Sequence, residues 1–185
     1  MEDFGAGEFK IKLGTSEEEP MIQIINATKG ENLKEIRRLF DEYSSTLGFE
    51  LDFQDFKKEL ANLPGHYATP EGRLLIATRQ WRVAGCVALK NLTDDICEMK
   101  RLYVRPQFRG LGVGRALAKR IVKEARGIGY NRMRIDTVPS MEKARMLYES
   151  LGFREIPPYR YNPIEDAVFM ELTLTHNLEL FTYHN

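Results

Sequence analysis

The stretch that most constrains this chain is Val104-Arg105-Pro106-Gln107-Phe108-Arg109-Gly110-Leu111-Gly112-Val113-Gly114-Arg115-Ala116. It follows a strand-like run from Cys97 to Val104 and precedes a helical pattern with Leu117, Ile121 and Ala125 at i, i+4 and i+8. The order is strand, glycine-rich turn, helix start. A helix start carries unpaired N–H groups and the positive end of the helix dipole. Glycines let such a backbone approach an anion closely. The stretch is a candidate phosphate cradle.

The surrounding chain limits what that phosphate belongs to. The 185 residues suit one domain, and 43% hydrophobic content supports a packed core. No apolar run reaches the roughly 18–20 residues of a membrane span. No basic segment leads into an apolar one at the N-terminus, so a cytoplasmic protein without a membrane partner is expected. Cys86 and Cys97 make no metal or redox motif and are read as reduced core thiols, although neighbouring strands could place them as a cross-strand pair. Net charge is zero, which argues against nucleic acid as a partner. The charges are nevertheless segregated: residues 1–71 hold 15 acidic and 8 basic side chains, and residues 100–134 hold 11 basic and one acidic. The basic block suits a compact polyanion. Lys119, Arg120, Lys123 and Arg126 are read as a solvated helix face. The acidic block is compatible with a cationic amine ligand.

Along the chain, residues 1–20 read as an acidic extension, with one added strand suggested by the alternation of Phe9, Ile11 and Leu13. Residues 21–174 form the domain and 175–185 a tail. Met21 to Ala27 reads as a strand. Thr28 with Glu31 fits a capping box for a helix carrying Leu33, Ile36, Phe40, Tyr43 and Leu47 and stopped by Gly48. A second helix is expected from near Asp52 to Pro64-Gly65. Strands follow at Arg73–Thr78, Val83–Leu89 and Glu98–Val104, with a turn at Asn91–Asp95. After the central helix come a strand at Arg132–Thr137, a short helix capped by Ser140, and strands at Phe153–Ile156 and Ala167–Leu174. This order predicts a mixed α/β domain with a mainly antiparallel sheet.

Three phosphate-loop patterns compete. A Walker loop needs Gly-Lys-Ser/Thr at its end, and Gly114-Arg115-Ala116 lacks it. The dinucleotide fingerprint needs Gly-x-Gly-x-x-Gly after the first strand of a parallel sheet, whereas Gly110, Gly112 and Gly114 alternate behind antiparallel strands. Arg109-x-x-Gly112-x-Gly114 resembles the acetyl-CoA signature of the GNAT N-acetyltransferase superfamily. Ala144-x-x-Leu147-Tyr148-x-x-x-Gly152-Phe153 is similar to that family's second block, with Met141 where many members carry asparagine. The order of strands and helices also matches over residues 21–174.

The resemblance implies a GNAT-like twisted sheet of six to seven strands with a splayed central pair, acetyl-CoA as co-substrate, and no metal. Its pyrophosphate would lie on the backbone of Arg109, Gly110, Leu111, Gly112, Val113, Gly114 and Arg115, and its pantetheine arm along Leu102, Tyr103 and Val104. The splay between that strand and Arg132–Thr137 would form the slot. Transfer to an amine needs a base for the ammonium, a donor for the tetrahedral oxyanion and an acid for the leaving thiolate. The resemblance gives the acid role to Tyr148 and the base role to Glu98, eleven residues before Arg109, with a backbone N–H near Leu102 as the donor. Tyr159, Tyr161, Asn162 and His66 are acceptor-site candidates. The acceptor would be a primary amine of a small molecule or protein, and the family often dimerises through its last strands, here within 153–185. The alternative is a non-catalytic acetyl-CoA sensor or scaffold.

Overall fold

The computed structural model describes residues 21–47 and 55–174. Within them the chain runs β1 (Ile22–Asn26), α1 (Gly30–Thr46), α2 (Phe56–Ala61), β2 (Arg73–Arg79), β3 (Arg82–Thr93), β4 (Ile96–Val104), α3 (Val113–Ile128), β5 (Arg132–Thr137), α4 (Glu142–Ser150), β6 (Arg154–Ile156) and β7 (Val168–Thr173). The strands form one sheet in the order β1-β2-β3-β4-β5-β7-β6. Every neighbouring pair is antiparallel except β4 and β5. This is the mixed, mainly antiparallel α/β sheet expected from the sequence. The added strand at Phe9–Leu13, the Gly48 stop, the helix start near Asp52 and the 175–185 tail lie outside the described residues.

Both faces of the sheet are covered, which is why β2 and β3 read as nearly continuous apolar runs. Leu75, Ala77, Val87, Leu89, Cys97 and Met99 face α3, whose Val113, Leu117, Ile121 and Ala125 make its buried stripe. Leu74, Ile76, Cys86, Ala88 and Tyr103 face α1, against Ile36, Leu39 and Phe40. Cys86 and Cys97 therefore point to opposite faces, and both are free thiols. Burial pushes the Cys97 thiol up to about 12.

Local details differ from the sequence reading for physical reasons. β3 continues to Thr93, so the turn shortens. Thr28 does not cap α1: the helix begins at Gly30 after Lys29, and Glu31 pairs with Lys34 at 2.6 Å instead of reaching back. Ser140 does not cap α4. It lies in a 3-10 turn, Pro139–Met141, with the proline in its first positions, and α4 starts one residue later at Glu142.

The segregated charges also find their use here. Glu42 accepts hydrogen bonds from Arg105 at 2.7 to 3.2 Å, and Glu59 is held by Arg101 through two, at 2.6 and 2.9 Å. Acids of the first two helices thus clamp arginines of β4 and its exit. Glu42 and Glu59 of the acidic block are in this way paired within the fold.

Gly85 lies where β3 meets β4, and a Cβ there would stand 2.3 Å from the carbonyl oxygen of Tyr103. Gly85→Ala must push the two central strands apart. Thermal unfolding is expected to show a loss of about 1–3 kcal/mol, and an unchanged melting temperature would refute the close approach.

Candidate active site

The site begins where two strands part. β4 and β5 pair only through Ile96 with Arg132, Cys97 with Met133 and Glu98 with Arg134. Beyond Glu98 they diverge, as the resemblance implied. On its other side β4 carries a bulge: Ala88 opposes Lys100 and Cys86 opposes Tyr103, so Arg101 and Leu102 together face Val87. Arg101 takes φ +56°, the left-handed conformation that absorbs the extra residue. The bulge breaks the two-residue alternation, and Glu98, Lys100, Arg101 and Tyr103 all gather toward α1 and α2.

The gap between the strands is a slot of about 50 Å³, walled by Met99–Leu102, Ile135–Val138, Tyr43, Met141 and Tyr148. Tyr148 comes from α4, 5% exposed, its ring 5.8 Å from that of Phe153. Burial pushes its hydroxyl well above the ordinary phenol range. Thr137 Oγ1, on the opposite wall, is buried without a hydrogen-bond partner. A buried unpaired hydroxyl is costly, which sets this position apart on the wall of the slot.

The glycine-rich turn sits at the exit of β4. Gly112 precedes α3 with φ +82°, and no side chain caps the helix start. The first N–H groups of α3 therefore remain available beside exposed Arg109 and Arg115. Arg109 folds back to donate to the Val104 carbonyl at 3.0 Å, and Arg115 donates to Ser150 at 3.0 Å. A Cβ on Gly114 would lie 3.5 Å from Val104 and 3.9 Å from Leu147, so the turn, β4 and α4 converge. Leu102 and Val104 line the same side of the strand, whereas the Tyr103 side chain points to the opposite core.

Glu98 is fully buried. Its Oε1 accepts from the Tyr159 hydroxyl at 2.8 Å and lies 3.3 Å from Arg160, while Oε2 lies 3.3 Å from Lys90 and 3.9 Å from Lys100. Burial alone would raise its pKa, but Lys100, Arg160 and Lys90 outweigh it and hold the carboxyl below its usual range. Burial and neighbouring cations conversely lower Lys100 to about 8. Neither Glu98 oxygen forms a cavity wall; Lys100 does, bordering both the slot and a second cavity.

That second cavity, about 630 Å³, lies between α2, the turn at Gly65–Tyr67 and the β6–β7 loop. His66 and Tyr161 reach it, Asn162 reaches the slot, and Tyr159 reaches Glu98. Lys100, Arg101, Asp136 and Arg160 are the site residues that sequence reasoning missed. Their signal was weak: the bulge that aligns Lys100 with Arg101 leaves no mark in an alternating strand pattern. Arg160 is fixed by Asp136 at 2.5 Å across the sheet, a contact between residues 24 positions apart. Among the described residues no group of His, Cys, Asp and Glu side chains is arranged to hold a metal, and no helix is long and apolar enough to cross a membrane.

Residues 33–153 match the Acetyltransferase (GNAT) family. The chain is 40% identical over 147 residues to an uncharacterised N-acetyltransferase of Schizosaccharomyces pombe, covering 78% of this chain and 90% of the relative. It is 30% identical over 128 residues to the N-acetylaspartate synthetase of Danio rerio, covering 64% of this chain and 45% of that one. Among solved structures, a GNAT-family acetyltransferase of Staphylococcus aureus superposes with a TM-score of 0.70 at 20% identity, over 84% of this chain and all of the other. The parted strands, the uncapped glycine-led helix and these matches agree: the chain belongs to the GNAT acetyltransferase family and is an acyltransferase of the acetyl-CoA-dependent class.

Proposed function

We propose that this protein moves the acetyl group of acetyl-CoA to a primary amine by direct transfer, with both substrates bound together. The observation that carries the reading is the parting of β4 and β5 after Glu98. Tyr148 and the unpaired Thr137 hydroxyl stand on the walls of the slot, and β4 leads directly to the uncapped start of α3.

In this reading, acetyl-CoA supplies the activated acyl group. The N–H groups of Gly110, Leu111, Gly112, Val113, Gly114 and Arg115, with the Arg109 and Arg115 guanidiniums, hold its pyrophosphate. Leu102, Tyr103 and Val104 offer β4 backbone that β5 does not pair with to its pantetheine amides, with Arg109 releasing the Val104 carbonyl. The backbone N–H freed at the bulge near Leu102 faces the negative charge that develops in transfer. Tyr148, whose hydroxyl keeps its proton throughout the neutral range, protonates the leaving sulfur. Glu98 accepts the amine's proton through water, because neither of its oxygens reaches a cavity wall. The cations around Glu98 weaken it as a base. They acidify an incoming ammonium by the same field, so the proton has less far to climb. Tyr161 and His66 border the acceptor in the larger cavity, and Tyr159 fixes Glu98.

The test is release of free CoA thiol from acetyl-CoA across a panel of amines, including amino acids, polyamines and peptide N-termini. Aspartate belongs in it because of the acceptor named for the Danio rerio relative. Turnover on at least one amine supports the reading. Tight acetyl-CoA binding with no turnover on any amine would make the protein a sensor or scaffold.

A further inference from the structure

We propose that Thr137 is a further catalytic residue: its hydroxyl donates to the carbonyl oxygen of the bound thioester and, with the backbone N–H near Leu102, stabilises the negative charge that gathers there during transfer. The inference rests on the acetyl-transfer reading above and adds a group to that same site.

Thr137 is 5% exposed, and among the described residues its Oγ1 finds no hydrogen-bond partner. The other buried side-chain oxygen without such a bond is Glu98 Oε2, which has the Lys90 ammonium at 3.3 Å. A neutral hydroxyl gains nothing comparable from a nearby charge. Leaving it unpaired lowers the stability of the fold, so the position calls for a partner that the protein itself does not supply.

The strands give that partner its place. β5 pairs with β7 without a register shift from Arg132 to Thr137, so its side chains alternate to the strand's end. Met133 and Ile135 belong to the core that contains Tyr148, and Asp136 turns the other way to accept from Arg160 and Asn162. Thr137 therefore leaves β5 on the face that carries Tyr148, and both residues line the slot. Leu102 packs on that face too. The last β4–β5 pair, Glu98 with Arg134, sets the level along the strands. Three residues further on, Thr137 comes level with Arg101, where the β4 bulge begins. A group between the strands at this height has a backbone donor on one side and a hydroxyl on the other. Thr137 and Tyr148 do not bond each other, which leaves the space between them to a ligand.

The chemistry assigns the ligand's atoms. Tyr148 serves the sulfur, which is a weak acceptor and would make poor use of a second hydroxyl. The carbonyl oxygen lies two bonds away, and its two lone pairs take two donors. In transfer the amine nitrogen attacks the carbonyl carbon, and the π pair of the carbonyl moves onto oxygen. As that pair returns, the carbon–sulfur bond breaks and sulfur leaves with the Tyr148 proton. The nitrogen's proton goes to Glu98 through water, and both residues reset through solvent. Thr137 keeps its proton throughout. Its hydrogen bond strengthens while charge sits on the oxygen, so it favours the transition state over the bound substrate.

The experiment compares the wild-type chain with Thr137→Val, which keeps the branched shape without the donor, and Thr137→Ser, which keeps the donor. In thiol release, Thr137→Val is expected to lower kcat by about 10²-fold and leave KM for the amine within about threefold, and Thr137→Ser to recover most of the loss. Calorimetric titration without amine reads the contact apart from turnover. Acetyl-CoA should bind Thr137→Val about 3–10-fold more weakly, whereas CoA, which has no acyl oxygen, should bind both proteins alike. Difference infrared spectra of isotope-labelled acetyl-CoA should place the thioester carbonyl stretch lower on the wild type than on Thr137→Val. If Thr137→Val does not fold, Thr137→Ala against Thr137→Ser makes the same comparison. Equal weakening toward CoA and acetyl-CoA would assign the hydroxyl to the pantetheine arm. No weakening toward either, with kcat unchanged, would assign it to trapped water. Each of these results overturns the inference and leaves acetyl transfer standing. No thiol release by the wild type on any amine overturns the transfer reading, and the stabilising role of Thr137 with it.

Discussion

Tyr148→Phe is expected to lower kcat by about 10²–10⁴-fold, the usual range for loss of a positioned general acid, while KM for acetyl-CoA stays within about twofold. The substitution isolates the hydroxyl. The ring fills the core between α4 and the sheet, 5% exposed and tilted at 57° against Phe153. Phenylalanine keeps that contact, so unfolding stability should move by less than about 1 kcal/mol. If Tyr148 serves only as packing, kcat will stay near the wild-type value. Steady-state thiol release and thermal unfolding on the same preparation separate the two roles. Burial holds the phenol protonated well past neutrality, so the high-pH fall in activity should not trace to this residue. A high-pH limb that vanishes in Tyr148→Phe would contradict that.

Arg101→Met is expected to destabilise the fold by about 3–5 kcal/mol, a large share of the 5–15 kcal/mol that holds a typical domain together. Arg101 is 2% exposed in its side chain and Glu59 16%. The guanidinium also lies 5.1 Å from the centre of the Phe56 ring. Removing it leaves a largely buried carboxylate with the Tyr67 hydroxyl and the more distant charge of Lys100. The double variant Arg101→Met with Glu59→Gln should recover much of the loss, because the stranded charge is gone. Urea unfolding measures both. A loss below about 1 kcal/mol for the single variant would show that water replaces the guanidinium. Burial raises the Glu59 pKa, but Arg101 outweighs it, leaving the folded value below the ordinary one. The pair's stabilisation is therefore complete above the unfolded carboxyl's pKa and is lost as pH falls through the folded value.

The fold was largely legible because its signals are local. The α3 stripe of Leu117, Ile121 and Ala125, the alternation that opens β5, and the glycine stops all act within a turn or two of the chain. Helix starts were read less well. The Thr28–Glu31 box was available, but the Glu31–Lys34 ion pair took the acid, and propensity does not rank such competitors. At the site, the glycine turn and the Tyr148 block could be recognised because their spacing is itself the feature. Glu98 could be found by its distance from Arg109, but its surroundings could not. Lys90, Lys100 and Arg160 reach it from strands and a loop separated by up to 70 residues.

The sequence by itself determined the order of elements, the family and the uncapped helix start, since each depends on residues a few positions apart. Tertiary structure alone decided which way the central charges face. One extra residue at Arg101 turns β4 so that Lys100 and Arg101 share a side, and the sheet order brings the β6–β7 loop over them. The acidic first third of the chain had suggested a cationic ligand. Folding pairs two of its described acids, Glu42 and Glu59, with arginines of β4 and its exit, and places Lys58, Lys90, Lys100 and Arg160 with Asp55 and Glu59 around the cavity beside the slot. Pairing of charges depends on distance in space, and composition carries no record of that.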